Sequence, residues 1–184
     1  MELLQIQKIE MDMEYYAAIE FLARNSIDEV FFNSGENHAL AVFVNLFDYV
    51  KNNVRIFSQS LCSNVPNSPE YVSSLEKFLK RGGFVNILLE ENVSNRNRIN
   101  EYPIFKMLKP WKNSDYVKIR STDKKFIYNN SSINFSTADD FAYRIELDKE
   151  KRVARCNYRD SSGFTKNANL LFDNIFVNAI GVEI

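Results

Sequence analysis

Apolar residues recur along this chain with two periods, and the switching between them predicts its architecture. Over 13–23, Tyr15, Tyr16, Ile19, Leu22 and Ala23 can share one helical face. IDEVFFN (27–33) then reads as a strand closed by Ser34-Gly35. In ENHALAVFVNLFDYVKN, Ala39, Val42, Phe43, Leu46, Phe47 and Val50 form the buried stripe of a helix, with Ser34 or Asn37 as its cap. NVRIFSQ (53–59) is a second strand, followed by the loop CSNVPNSP. Ser68-Pro69-Glu70 opens another helix, with proline at its first position, and Lys80-Arg81-Gly82-Gly83 closes it. FVNILLEE (84–91) is apolar almost throughout, which fits a strand covered on both faces.

Strand, helix, strand, helix, strand favours a parallel sheet with right-handed crossovers. A polar loop (92–100), a short helix (104–111) and a strand (116–120) come next. Beyond them lie short strand candidates at 126–128, 132–135, 142–147 and 154–158. A charged hairpin tip is expected at 148–151 and a closing helix over 164–179. The expected fold is α/β: a central mixed, largely parallel sheet flanked by helices on both faces, with late antiparallel strands. No linker or internal repeat divides the chain, so 1–184 reads as a single domain with 1–26 as an N-terminal helical extension.

Composition narrows the chemistry. A chain 45% hydrophobic with 5 Gly and 4 Pro suits one compact core, and 15 Phe with 9 Tyr make that core rich in rings. A formal net charge of -1 gives no global attraction to nucleic acid or anionic membrane, so only a local basic patch could supply one. Cys62 and Cys156 are too few for a disulfide framework and lack metal spacing. A single histidine excludes a His-rich metal site within one subunit. With no basic segment ahead of an apolar run and no spanning stretch, a cytoplasmic protein without a membrane span is expected.

Three features carry a family resemblance. FLKRGGFVNILLEE, the later run DYVKIRSTDKKFIYNNSSINFSTADDFAYRIELD and the closing helix together resemble one half of the phospholipase D-like superfamily, over roughly residues 27–179. The resemblance implies a histidine nucleophile, a phosphate-holding lysine and a nearby acid, with two half-sites completing one centre. Laid on this chain, Lys125 matches the lysine, Asp123 stands in the histidine position and Asn130 in that of the aspartate. A carboxylate is repelled by phosphate, and an amide exchanges no proton, so this half-domain reads as degenerate. A homodimer, with the degenerate half-sites near its interface, is implied by the same resemblance. No cofactor and no metal are expected.

The functional expectation is a catalytically inactive phospholipase D-like domain acting as an interaction or regulatory subunit, either with a further protein partner in a larger assembly or by binding a phosphate-bearing ligand in the old cleft. One alternative is a divergent phosphodiesterase or nuclease using an atypical nucleophile or His38, which sits where a helix N-terminus would favour anions. Another is a non-catalytic nucleic-acid-binding domain, with Lys124, Lys125 and Arg120 as phosphate contacts. Lys112 and Lys118 extend that tract, while Asp115 and Asp123 interrupt it; Arg96 and Arg98 pose the same choice between phosphate contact and solvated face. Asp139 and Asp140 read as a turn rather than as cation ligands with Glu146 or Asp148, and Cys156 reads as an inward-facing strand residue.

Overall fold

The computed structural model describes residues 6–95 and 98–184, so the first five residues of the N-terminal extension and Arg96 lie outside the described residues. Helix α1, Met13–Arg24, begins at Asp12, whose carboxylate accepts from the Tyr15 amide at 2.9 Å. Strand β1, Phe31–Asn33, leads into α2, Gly35–Tyr49, which buries Ala39, Leu40, Val42, Leu46 and Phe47. Strand β2 is Asn53–Ser58, α3 is Pro69–Lys80 and β3 is Phe84–Leu89. The two glycines between α3 and β3 act differently. Gly82 has φ +91, a left-handed cap, whereas a Cβ at Gly83 would fall 2.3 Å from the Phe78 ring.

Helix α4, Pro103–Leu108, and strand β4, Val117–Ser121, complete the first half. The second half is β5, Ile127–Tyr128, β6, Ser131–Ser132, β7, Asn134–Ala138, β8, Ala142–Asp148, and β9, Val153–Asn157. It closes with α5, Phe164–Phe176, and β10, Ile180–Gly181. Eight strands form one sheet in the order β1-β9-β8-β7-β2-β3-β4-β10, and β5 pairs only with β6. Strands β2, β3 and β4 are mutually parallel, and the later strands join them antiparallel. The α/β class, the mixed sheet and the late antiparallel strands follow the pattern in the sequence.

Two apolar clusters cover the two sides of the sheet. The larger packs α1 to α4 against Val54, Ile56, Val85, Ile87, Ala142 and Ala154. The smaller packs Phe172 and Phe176 of α5 against Phe57, Leu88, Phe135, Tyr143 and Ile145. Alternation along each strand assigns residues to one cluster or the other, which is why the strands carry apolar groups on both faces.

Three local outcomes depart from the pattern. The strand expected over 27–33 is ordered as a strand only at Phe31–Asn33. Ahead of it, Ile27 donates its amide to Leu22, and Asp28 accepts from Asn157 and from the Ser161 amide, so side chains rather than a ladder hold this stretch. Strand β1 also runs in the same direction as β2 but lies beyond β7, β8 and β9, so α2 crosses three strands to join them. The closing helix ends at Phe176 instead of 179, and the chain then adds β10 to the edge of β4.

Asp139 turns out to be structural. It is buried at φ 48 between β7 and β8, and its carboxylate accepts from the amides of Lys51, Asn52 and Asn53 at 2.9–3.1 Å. Asn169 of α5 donates to its carbonyl at 2.7 Å. Because one carboxylate satisfies three backbone donors where β2 begins, Asp139→Ala is expected to cost roughly 2–4 kcal/mol. Urea unfolding of the two proteins measures this, and an unchanged midpoint would refute the assignment.

Candidate nucleic-acid interface and the polar edge of the sheet

The loop that carries the motif positions leaves the carboxyl end of β4. Thr122 donates its amide to the Leu89 carbonyl, and its hydroxyl accepts from the Lys124 amide at 3.1 Å. Asp123, Lys124 and Lys125 are exposed. Phe126 then plunges inward, its ring 4.3 Å from that of Phe57 and 4.8 Å from that of Phe135. The chain emerges again as the β5–β6 hairpin, whose two loop residues, Asn129 and Asn130, have φ 47 and 62. Positive φ at both positions is the geometry of a type I′ turn, and asparagine tolerates it. Asn130 is thus an exposed turn residue at the tip of a hairpin.

The other sequence candidates are scattered. Arg120 donates Nη1 to the carbonyls of Phe176 and Val177 at 2.8 and 2.9 Å and lies 4.9 Å over the Phe176 ring, which caps the negative end of α5. His38 stacks on Tyr15 with centroids 3.9 Å apart and places Nε2 3.2 Å from an Asp12 carboxylate oxygen. It therefore joins α2 to the start of α1. The Tyr15 amide, and after it the His38 ring, hold the Asp12 carboxyl below the usual carboxylate range. Cys62 is half-buried. Among the described residues no group of three or more His, Cys, Asp or Glu could hold a metal ion, and no helix is long and apolar enough to cross a membrane.

Beside the motif loop lies an open depression of about 410 Å³ bordered by Glu90, Asn92, Ser121, Thr122, Asp123, Asn178, Ala179 and Ile180. Its charged lining is acidic. Lys149, from the β8–β9 turn, reaches across the sheet edge to Glu90 at 3.6 Å and donates to the Ser132 hydroxyl at 3.3 Å. Lys124 and Lys125 are exposed and do not border the depression.

On the α2 side of the same edge is a cluster that the sequence pattern did not single out. Arg144 and Glu146, successive residues of one β8 face, are each 3% exposed and pair at 3.2 Å. Arg144 also donates Nε to Asn33 at 3.1 Å and lies 5.1 Å over the Phe43 ring. Arg152 Nη1 comes within 3.4 Å of Glu146, and Asn134 donates Nδ2 to the same carboxylate at 2.9 Å. Cys156 donates to Asn33 at 3.6 Å, and burial pushes its thiol up to about 12. The available signal was Arg-Ile-Glu inside an apolar run, where both faces of the strand must be covered.

Two outcomes test this description. Glu146→Leu strands two guanidiniums beside an apolar wall and is expected to destabilise by about 3–5 kcal/mol in urea unfolding. At pH 8, iodoacetamide is expected to modify Cys62 in the native protein and to reach Cys156 only after unfolding, as read by mass spectrometry of the peptides. Equal rates at the two thiols would contradict the burial of Cys156.

No protein-family model matches the sequence, nor does any curated protein sequence. Solved structures do share its backbone. TrmBL2, described as an archaeal chromatin protein with a novel mode of DNA binding, is 15% identical with a TM-score of 0.60, over 92% of this chain and 62% of that one. This chain therefore spans less than two thirds of that protein. NucT from Helicobacter pylori is 12% identical with a TM-score of 0.60, over 83% of this chain and 98% of its own. Nuc from Salmonella typhimurium, a phospholipase D family member, is 12% identical with a TM-score of 0.57, over 85% of this chain and all of its own. At such identities the likeness concerns the course of the backbone, and the fold of this chain is the phospholipase D-like fold.

Proposed function

We propose that this chain is a non-catalytic nucleic-acid-binding domain built on the phospholipase D-like fold. The observation that carries the reading is the motif loop itself: Asp123, where the resemblance sets the nucleophile, and beside it two exposed lysines. A carboxylate there opposes phosphoryl transfer, while two exposed ammonium groups suit contact with a phosphate backbone. The likeness to an archaeal chromatin protein that binds DNA supports the same direction. The acidic depression next to the loop argues against a phosphate group entering it, so contact is made by the loop's outer surface. His38, stacked on Tyr15 and facing Asp12, is occupied in joining two helices, which weighs against the nuclease alternative. A homodimer would present two such loops to one duplex, and an interaction or regulatory role would follow from that binding.

The test is fluorescence anisotropy with duplex DNA from 50 to 200 mM salt, beside a cleavage assay. Binding is expected to weaken steeply with salt, and K124A/K125A should lower the magnitude of the log–log slope by about 2, near 0.9 for each lost phosphate contact. No cleavage is expected. Undetectable binding at 50 mM salt, or a slope unmoved by the double substitution, would sink the proposal, and DNA cleavage would return the nuclease reading.

A further inference from the structure

A polar cavity that none of the motif-loop residues borders lies on the α2 side of the sheet. This cavity, of about 50 Å³, lies under α2 at the carboxyl edge of β2, against Phe43, Ser58, Asn134, Arg144, Glu146 and Arg152. A void of that size holds more than a single water. Its charged lining consists of Arg144, Glu146 and Arg152, two cations facing one carboxylate. The nearby Asp148 carboxylate is turned back to its own hairpin, where it accepts from the amides of Glu150 and Lys151. Both guanidiniums share the one Glu146 carboxylate, so the lining carries one positive charge in excess, and water carries no charge to offset it.

A second observation identifies what the ligand must donate. The Oδ1 atom of Asn134 is buried without a hydrogen-bond partner. Its amide cannot be turned over, because Nδ2 donates to Glu146 at 2.9 Å and the reversed group would set oxygen against a carboxylate. The lining therefore asks for negative charge toward the guanidiniums and a hydroxyl proton toward an acceptor. We propose that this cavity binds a small oxyanion that still carries a proton, of the class of hydrogen phosphate. Its oxygens accept from Arg144 and Arg152 and its hydroxyl donates to Asn134. The small volume, about 50 Å³, selects the free ion over a phosphate ester.

The test is calorimetric titration of the intact chain with inorganic phosphate at pH 7, against chloride of equal ionic strength. Saturable binding to one site per chain is expected, and Arg152→Gln, changed at the more exposed of the two arginines, should weaken it about tenfold or more. Sulfate has no proton at this pH and should bind about tenfold more weakly, a difference that Asn134→Leu should abolish. If Arg152→Gln fails to fold, the wild-type chain decides the matter by NMR: phosphate should shift the Nε–H signals of Arg144 and Arg152 and leave that of Arg120 in place. Absence of saturable binding, binding retained in Arg152→Gln, shifts at Arg120 alone, or glycerol phosphate binding as tightly as phosphate would each overturn the proposal. Because DNA binding is tested at Lys124 and Lys125, the two readings can fail independently.

Discussion

A sheet with helices on both sides leaves little water for a charged strand residue, and this chain sets four arginines into such strands. Arg155 of β9 lies over the Tyr143 ring, 5.9 Å from its centroid, and the other three are each answered by a specific acceptor. Arg55 of β2 makes a two-pronged contact with Asp173 of α5, both bonds at 2.8 Å. Arg120 of β4 takes the last carbonyls of α5. Arg144 of β8 pairs with Glu146 and Asn33 under α2. The first two fix where α5 lies and where it stops. The third fixes the polar edge beneath α2. Planar guanidinium forks suit all three places better than a lysine would, since each engages two acceptors at once.

The elements were legible in the sequence because helix and strand periods differ, and because caps and glycines mark their ends. Ser68-Pro69 and Gly82-Gly83 bracket α3 as their backbone preferences require. Strand partners were not legible in the same way. Alternation in Phe31–Asn33 says that one face is buried, but not that β9 rather than β2 lies alongside. A crossover that spans three strands is set by the tertiary fit of α2. The end of α5 was set by Arg120, a residue more than forty positions earlier in the chain, whose reach no local pattern encodes.

The candidate site was legible only in part, for a related reason. The spacing of Asp123, Lys125 and Asn130 is a matter of letters and could be read directly. Their placement depends on Phe126, which is drawn into the ring cluster of Phe57 and Phe135, and on the turn geometry of Asn129 and Asn130. Burying that ring holds the preceding three residues outward and leaves the following hairpin apart from the main sheet. Arg144 and Glu146 form no motif in the sequence, because charge alternating with Tyr143, Ile145 and Leu147 is also what a half-exposed strand looks like. Burial on both faces inverts that reading.

The two sides of the sheet edge differ in charge and in access. On the α5 side the depression carries Glu90 and Asp123, while the exposed Lys124 and Lys125 do not border it. Anions are admitted only from outside, where ammonium groups are hydrated and their reach is limited by salt, to about 10 Å at 0.1 M. That suits an extended polyanion met along its length. On the α2 side Arg144 is buried and held by Glu146, Asn33 and the Phe43 ring, and Arg152 reaches the same carboxylate from a partly exposed position. Screening is weak there and geometry is fixed, which suits a compact ion matched to its acceptors and donors. At this edge of the sheet the cations are sorted by solvent access, with Lys124 and Lys125 exposed and Arg144 buried.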